Sequence, residues 1–143
     1  MNNLKNILLC IVCAALMDCN NKHSERGVEL AMKQYDRLIK KMDADSIALL
    51  YTPDGDLGTM AHGRDSIRAF LSGFKDIKVL YQHSMTTYIK VAGDTALQRG
   101  VYHQMVLISG KDTMSVSGEY AAVWWWIAPG EWHIKKMMTT PTH

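Results

Sequence analysis

The sequence predicts an α+β fold, in which three N-terminal helices pack on a strongly curved antiparallel sheet. Two features of the 143 residues support this prediction. Apolar residues recur at helical spacing between residues 24 and 74, whereas β-rich runs separated by short turns fill the chain from Ile77 onward. Helices followed by strands are typical of an α+β domain, and a chain of this length usually forms one domain. A curved sheet closed by helices would enclose a conical cavity.

The first residues have the pattern of an export leader. Lys5 supplies a positive charge, and residues 7–17 form an almost unbroken apolar run. This run is shorter than the roughly 20 residues of a membrane-spanning helix, as in a signal peptide. Cys19 stands where a bacterial lipoprotein carries its lipidated cysteine, although Asp18 replaces the small residue that usually precedes it. Two alternatives stay open, namely cleavage near residues 14–15 and an uncleaved leader that anchors the chain.

We therefore expect three segments along the chain. Residues 1–19 are the export leader, which ends at a lipidated Cys19; residues 20–23 are a polar tether, and residues 24–143 are the α+β domain. Lipidation would place the domain in the bacterial cell envelope, with membrane contact only through the lipid. Export without lipidation would make the domain periplasmic.

Three helical patterns follow the tether. The first contains Tyr35 and has Ser24 as a possible N-cap. The second is short, contains Ile47, and has Asp43 or Asp45 as its cap. The third has an apolar face made of Ile67, Phe70, Leu71 and Phe74.

Turn-forming residues separate the second and third helices. Residues 52–56 read Thr-Pro-Asp-Gly-Asp, which predicts a turn because Pro fixes φ and Gly accepts a positive φ. Residues 63–65 then open the third helix, with an acidic side chain near its N-terminus.

Three short separators divide the chain after Ile77 into four β-rich runs. They occupy residues 92–94, 109–112 and 128–131 and are rich in Gly, Asp and Pro. Because each is short enough for a hairpin, we expect four antiparallel strands in meander order.

Composition and motifs exclude several classes of function. The formal net charge is +2, and acidic residues lie between the Lys and Arg residues, so no basic stripe for nucleic acid is present. No cysteine follows Cys19, and the chain has no paired metal-ligand motif, glycine-rich phosphate loop or nucleophile elbow. We therefore expect no metal, no other cofactor and no covalent nucleophile.

Several short motifs, taken in order, resemble the nuclear transport factor 2-like superfamily, which includes SnoaL-like and ketosteroid isomerase-like proteins. Tyr35 and residues 51–54 are similar to its tyrosine and its tyrosine-acid turn. Residues 61–67 are similar to the opening of its third helix, and residues 118–124 and 130–134 to its last hairpin. The resemblance covers nearly the whole domain, and it implies a cone-shaped fold and a homodimer that forms through the outer sheet face.

The resemblance to ketosteroid isomerases implies a catalytic site that this sequence contains only in part. Tyr35 matches the tyrosine that donates a hydrogen bond to the substrate oxygen. The family's general base would fall near Thr59 and its second acid around residues 122–126, and neither place holds a carboxylate. Steroid isomerisation by that mechanism is therefore not expected. His62 and His103 remain as candidate bases for another reaction.

Aromatic side chains near the end of the chain favour binding over catalysis. On an alternating strand Tyr120, Trp124 and Trp126 share one face, and Trp125 lies on the other. Large aromatic side chains with a polar tip suit a pocket for an apolar ligand, but they equally suit a filled core. The predicted pocket residues are Tyr35, Tyr51, His103, Tyr120 and Trp124.

Three functions are compatible with these observations. The first is an exported, lipid-anchored domain that binds a small apolar molecule in its cone without catalysis. The second is a SnoaL-like or isomerase-like enzyme, with Tyr35 as hydrogen-bond donor and a histidine as base. The third is a protein-interaction module with a filled core. A cavity that Tyr35 and a histidine both face would favour the enzyme, and a purely apolar cavity would favour binding.

Overall fold

Three helices and six strands make up residues 22–142, the part of the chain that the computed structural model describes. The leader and Cys19 lie outside the described residues. The helices are α1 (Glu25–Lys41), α2 (Ala44–Leu49) and α3 (Arg64–Ser72). The strands are β1 (Tyr51–Leu57), β2 (Ala61–His62), β3 (Ile77–Ala92), β4 (Thr95–Ile108), β5 (Asp112–Ile127) and β6 (Glu131–Thr142). Within this part of the chain, no helix is long and apolar enough to cross a membrane.

The strands form one sheet in the order β2-β1-β6-β5-β4-β3. Strands β3 to β6 pair antiparallel with their neighbours in the chain, which confirms the predicted meander. Strand β1, however, pairs parallel with β6, so the sheet is mixed rather than purely antiparallel. Helix α1 packs against β3 and also contacts β4 and β6, so the predicted α+β arrangement of helices on a sheet is confirmed.

The prediction of a turn at residues 52–56 is wrong, because this stretch lies within β1. The parallel pairing with β6 includes Tyr51 and resumes only at Asp56, with a register shift between them. Pro53, which cannot donate to a sheet ladder, lies in that irregular part. Gly55 suits the same place because a Cβ there would lie 3.0 Å from the Cβ of Tyr51. Turn-forming residues are therefore accommodated within an irregular strand.

Capping side chains define the starts of the first two helices, as predicted. The Ser24 Oγ accepts a 3.3 Å hydrogen bond from an amide in the first turn of α1, and Asp43 does the same for α2 at 3.1 Å. Helix α3 ends at Ser72, so Phe74 lies beyond it rather than within it. The face of α1 that packs on the sheet includes Val28, Met32, Asp36 and Ile39.

The core lies between the helices and the inner face of the sheet. Tyr120 and Trp124 are almost completely buried there, whereas the Trp125 side chain is 40% exposed on the outer face. This confirms the predicted alternation of β5. Burial of a large aromatic side chain such as Trp124 contributes about 2–3 kcal/mol to folding.

Candidate ligand-binding cavity

A cavity of about 180 Å³ lies between α1 and the inner face of the sheet. A cavity of about 150 Å³ is large enough to hold benzene, so this one accommodates a molecule of about single-ring size. Helix α1 contributes Met32, Tyr35 and Ile39. The sheet contributes Gln82, Ser84, Tyr102, Gln104, Val116, Tyr120, Met137 and Thr139. The lining therefore combines an apolar wall with several hydroxyl and amide groups.

Two glycines on neighbouring strands make room for the tyrosine rings of the cavity. Gly100 on β4 pairs with Tyr120, and Gly118 on β5 pairs with Tyr102. A Cβ at Gly100 would lie 2.6 Å from the Tyr120 ring, and one at Gly118 would lie 2.8 Å from the Tyr102 ring. Each ring thus lies against the backbone of the adjacent strand. A larger residue at Gly100 or Gly118 would collide with the carbonyl oxygen of Met85 or Thr140, respectively, as well as with a cavity-lining ring.

A buried carboxylate organises one side of the cavity. Asp36 on α1 is only 8% exposed, and it accepts hydrogen bonds from Gln82 Nε2 at 2.9 Å, from the Ser84 amide at 2.8 Å and from Ser84 Oγ at 2.7 Å. Gln104 Nε2 in turn donates to Gln82 Oε1 at 3.0 Å. Because a carboxylate only accepts, it orients the Gln82 amide and, through it, the Gln104 amide. The Gln104 carbonyl oxygen has no partner among the described residues and is a free acceptor.

A separate chain of hydrogen bonds ends at the Tyr120 hydroxyl. The Trp124 indole donates to Gln98 Oε1 at 3.0 Å, and Gln98 Nε2 donates to Thr86 Oγ1 at 2.9 Å. Thr86 Oγ1 lies 3.4 Å from the Tyr120 hydroxyl. Because an indole only donates, it fixes the orientation of the fully buried Gln98 amide. This direction favours donation from Thr86 to Tyr120, which leaves the Tyr120 hydrogen available to a ligand.

The cavity tyrosine Tyr35, on α1, lies next to Tyr51 at the start of β1. Burial raises the pKa of Tyr35 to about 12, with the charge of Asp36 adding to the rise and the Tyr51 hydroxyl opposing it. Burial also raises the pKa of Tyr51 well above 10.0. The two hydroxyls influence each other, although the Tyr51 oxygen makes no hydrogen bond of good geometry. Tyr35 is therefore a neutral phenol at physiological pH and presents a hydrogen-bond donor.

Neither candidate histidine lines the cavity. The His62 side chain is 74% exposed on the β1–β2 edge, and its Nδ1 lies 2.7 Å from Asp56 Oδ1, which lowers the pKa of Asp56. His103 lies on the outer face of the sheet, where its Nδ1 is 2.8 Å from the Ser117 hydroxyl. The structure therefore does not bring either imidazole to Tyr35.

Of the predicted pocket residues, Tyr35 and Tyr120 line the cavity directly. Tyr51 lies behind Tyr35, and Trp124 acts on Tyr120 only through Gln98 and Thr86. Asp36 is not among the predicted site residues; it lies four residues after Met32 and three before Ile39. An acidic residue at that spacing interrupts the apolar stripe of a helix, and this signal was available in the sequence. No comparable pattern in the sequence indicated that Gln82 and Gln104 face the cavity.

The fold is that of the nuclear transport factor 2-like class. A ketosteroid isomerase-like protein from Erwinia carotovora atroseptica superimposes with a TM-score of 0.70 at 19% identity, over 80% of this chain and 93% of the other. A nuclear transport factor 2-like protein with a cystatin-like fold from Novosphingobium aromaticivorans gives 0.68 at 19% identity, over 89% and 86%. A protein of unknown function from Mycobacterium tuberculosis gives 0.72 at 18% identity, over 81% and 74%. At these identities the similarity establishes the fold alone.

Within that class, the family can be stated from the sequence itself. Residues 23–138 match the model of the SnoaL-like domain. The chain therefore belongs to the SnoaL-like domain family, as its motifs implied. No curated protein sequence matches the chain significantly.

Proposed function

We propose that this domain binds a small, largely apolar molecule that carries a hydrogen-bond-accepting oxygen. The observation that carries the proposal is the single-ring-sized cavity, in which the Tyr35 and Tyr120 hydroxyls accompany an apolar wall that includes Val116 and Met137. Burial raises the pKa of both tyrosines, so both hydroxyls remain donors at neutral pH. A carbonyl or ether oxygen complements such donors, and the rest of the ligand contacts the apolar wall.

The chemistry around the cavity favours binding over catalysis. Among the described residues that line it, none is a histidine or a carboxylate. Asp36 bonds to two of the lining residues, and its two oxygens already accept three hydrogen bonds from Gln82 and Ser84. A general base must reach the proton that it abstracts, and Asp36 is not among the residues that line the cavity. The isomerase-like alternative therefore has a donor in Tyr35, but the neighbouring Asp36 carboxylate is already occupied by its hydrogen bonds to Gln82 and Ser84.

Filling the cavity tests the proposal. Val116→Phe adds a ring to the cavity wall and should abolish ligand binding, at a cost in stability of about 1–3 kcal/mol. Native mass spectrometry of the protein purified gently from its own host should show a retained small molecule in the wild type and none in Val116→Phe. Thr113→Phe, which adds the same ring at an exposed position of β5, is the matched control and should retain the molecule. A ligand-free wild type, or equal retention in both variants, would contradict binding in this cavity.

We propose that the protein is exported and held in the cell envelope by a lipid on Cys19. The charged and apolar pattern of residues 5–17, followed by this cysteine, supports the proposal. Cys19→Ser should move the protein from the membrane fraction to the soluble fraction, because the substitution removes the thiol that is lipidated. Unchanged partitioning would show that something other than Cys19 holds the protein at the membrane.

We also propose that the domain forms a homodimer through the outer face of the sheet. Large apolar side chains are exposed there, and Tyr81 lies with its ring centroid 5.6 Å from that of His103. The exposed apolar residues of this face include Tyr81, Met85, Val101, Met105 and Met138. Met105→Asp should convert the dimer to a monomer in sedimentation equilibrium, because it places a charge in an apolar interface. Met60→Asp, at an exposed methionine in the β1–β2 turn, should leave the mass unchanged, and a wild-type monomer would refute the proposal.

A further inference from the structure

A second and larger groove lies on another face of α1. It has a volume of about 570 Å³ and lies between helices α1 and α2 and the β5–β6 hairpin. Two leucines on its wall, Leu30 and Leu49, are exposed by 52% and 54%. Two basic residues, Lys22 and Arg37, also line it, and neither has an ion-pair partner among the described residues. We call this surface the Lys22 groove.

The chain is fastened to the domain at the rim of this groove. The Trp132 indole donates a 2.8 Å hydrogen bond to the Lys22 carbonyl oxygen. The His23 ring stacks on Trp126, with centroids 4.5 Å apart and planes 7° apart. Gly27 allows close approach here, because a Cβ at this position would collide with the Lys22 carbonyl. These contacts fix where the chain leaves the domain.

That exit point limits how the domain can be oriented at a membrane. Cys19 precedes Lys22 by three residues, which span at most about 11 Å when fully extended. A lipid on Cys19 would therefore hold Lys22, at the rim of the groove, within about that distance of the bilayer surface. Anionic headgroups attract Lys22 and Arg37, and exposed leucines insert favourably at the headgroup boundary. Glu131 also lines the groove and is the acidic group that opposes this attraction.

We propose that the Lys22 groove is the membrane-facing surface of the anchored protein and rests on a bilayer that contains anionic phospholipid. This proposal rests on lipidation of Cys19, and it gives the lipid-anchored domain a defined orientation. Contact through Leu30 and Leu49 would add a fixed orientation to the lipid attachment. The outer face of the sheet, where Met85 and Met105 are exposed, would remain free for a second subunit.

Cysteine labelling of the anchored full chain tests this orientation. All three native cysteines lie at or before residue 19, so one introduced thiol in the domain can be followed once Cys10 and Cys13 are replaced with Ala. Leu30→Cys and Leu49→Cys should react poorly with a membrane-impermeant maleimide in permeabilised envelopes, and should react readily after detergent solubilisation. Met60→Cys, which is 52% exposed outside the groove, should react equally in both conditions.

Each result of this experiment decides the proposal. A protein absent from the membrane fraction would overturn both the anchor and the orientation. A membrane-bound protein whose Leu30→Cys and Leu49→Cys thiols react equally before and after detergent would overturn the orientation alone. If the two thiols stay protected from the maleimide in detergent, a protein partner covers them, and the proposed membrane orientation is also overturned. Lys22→Glu combined with Arg37→Glu should restore part of the labelling in membranes, and unchanged protection would refute the role of the two cations.

Discussion

Replacing Asp36 with alanine is expected to lower the free energy of unfolding by about 3 kcal/mol. The carboxylate is buried and accepts three hydrogen bonds, from Gln82 Nε2, the Ser84 amide and Ser84 Oγ. Removal leaves these donors without a partner, and unsatisfied buried donors cost more than the hydrogen bonds themselves contribute. Water entering the adjacent cavity would recover only part of that loss.

The position of Ser84 explains why this one carboxylate has a large effect. Strand β3 is at the edge of the sheet, and the Ser84 amide donates to Asp36. An unpaired amide at a sheet edge must find another acceptor, and here the acceptor comes from α1. Asp36 therefore fastens the helix to the edge strand and also orients the cavity glutamines Gln82 and Gln104.

Two variants separate these contributions. Asp36→Asn retains the shape but has only one acceptor oxygen, so we expect an intermediate loss of about 1–2 kcal/mol. Asp45→Ala removes a carboxylate that is 80% exposed and pairs only at the surface with Arg68, and it should change stability by less than about 1 kcal/mol. Urea denaturation measures the free energy of unfolding of all three variants. A stability of Asp36→Ala within about 1 kcal/mol of the wild type would refute the structural role given to Asp36.

Local chemistry explains why the helices and the meander could be predicted. Ser24 and Asp43 stand at the N-caps that their residue types predict, and the separators contain glycines that adopt the positive φ their turns require. Gly93 has φ of 59° and Gly110 has φ of 68°. These features act within a few residues of one another. A sequence therefore displays them without knowledge of the distant contacts.

Strand β1 could not be predicted from local chemistry. Its pairing with β6 joins residues far apart in the chain, as in the pair Tyr51 and Ile134. Locally, Pro53 and Gly55 have turn chemistry, and only the partner strand makes them part of a sheet. The tertiary contact prevails over the local preference.

The cavity was predictable only in part, for a related reason. Strand alternation correctly placed Tyr120 and Trp124 on one face, but it does not say which face of β4 is inward. His103 lies between Tyr102 and Gln104, which both line the cavity, so its own side chain faces outward. A shift of one residue exchanges the two faces of a strand, and a histidine close in sequence to the cavity residues is thereby excluded from the cavity.

The second large effect is expected at alkaline pH, where Tyr35 should make the protein less stable as pH rises from 10 to 12. Its pKa is about 12 in the folded protein, against 10.0 as the ordinary value, chiefly because the ring is buried. Between these values the unfolded chain releases the phenolic proton while the folded chain retains it, so rising pH favours unfolding. Below pH 10 the Tyr35 phenol is protonated in both the folded and the unfolded state, and its contribution to stability is fully present. The full difference corresponds to at most about 3 kcal/mol, and solvent screening of the partly buried side chain reduces it.

Tyr35→Phe isolates this contribution because it removes the titrating hydroxyl and retains the ring. All other titratable groups are the same in both proteins, so the difference between the two stability curves reports Tyr35. We expect the free energy of unfolding of Tyr35→Phe to fall less steeply than that of the wild type between pH 10 and 12, while Tyr51 continues to contribute in the same direction. Tyr88→Phe, at a side chain that is 47% exposed, should follow the wild-type curve. Parallel curves for Tyr35→Phe and the wild type would show that the Tyr35 hydroxyl is solvated, and a solvated hydroxyl would not supply the directed donor on which ligand recognition depends.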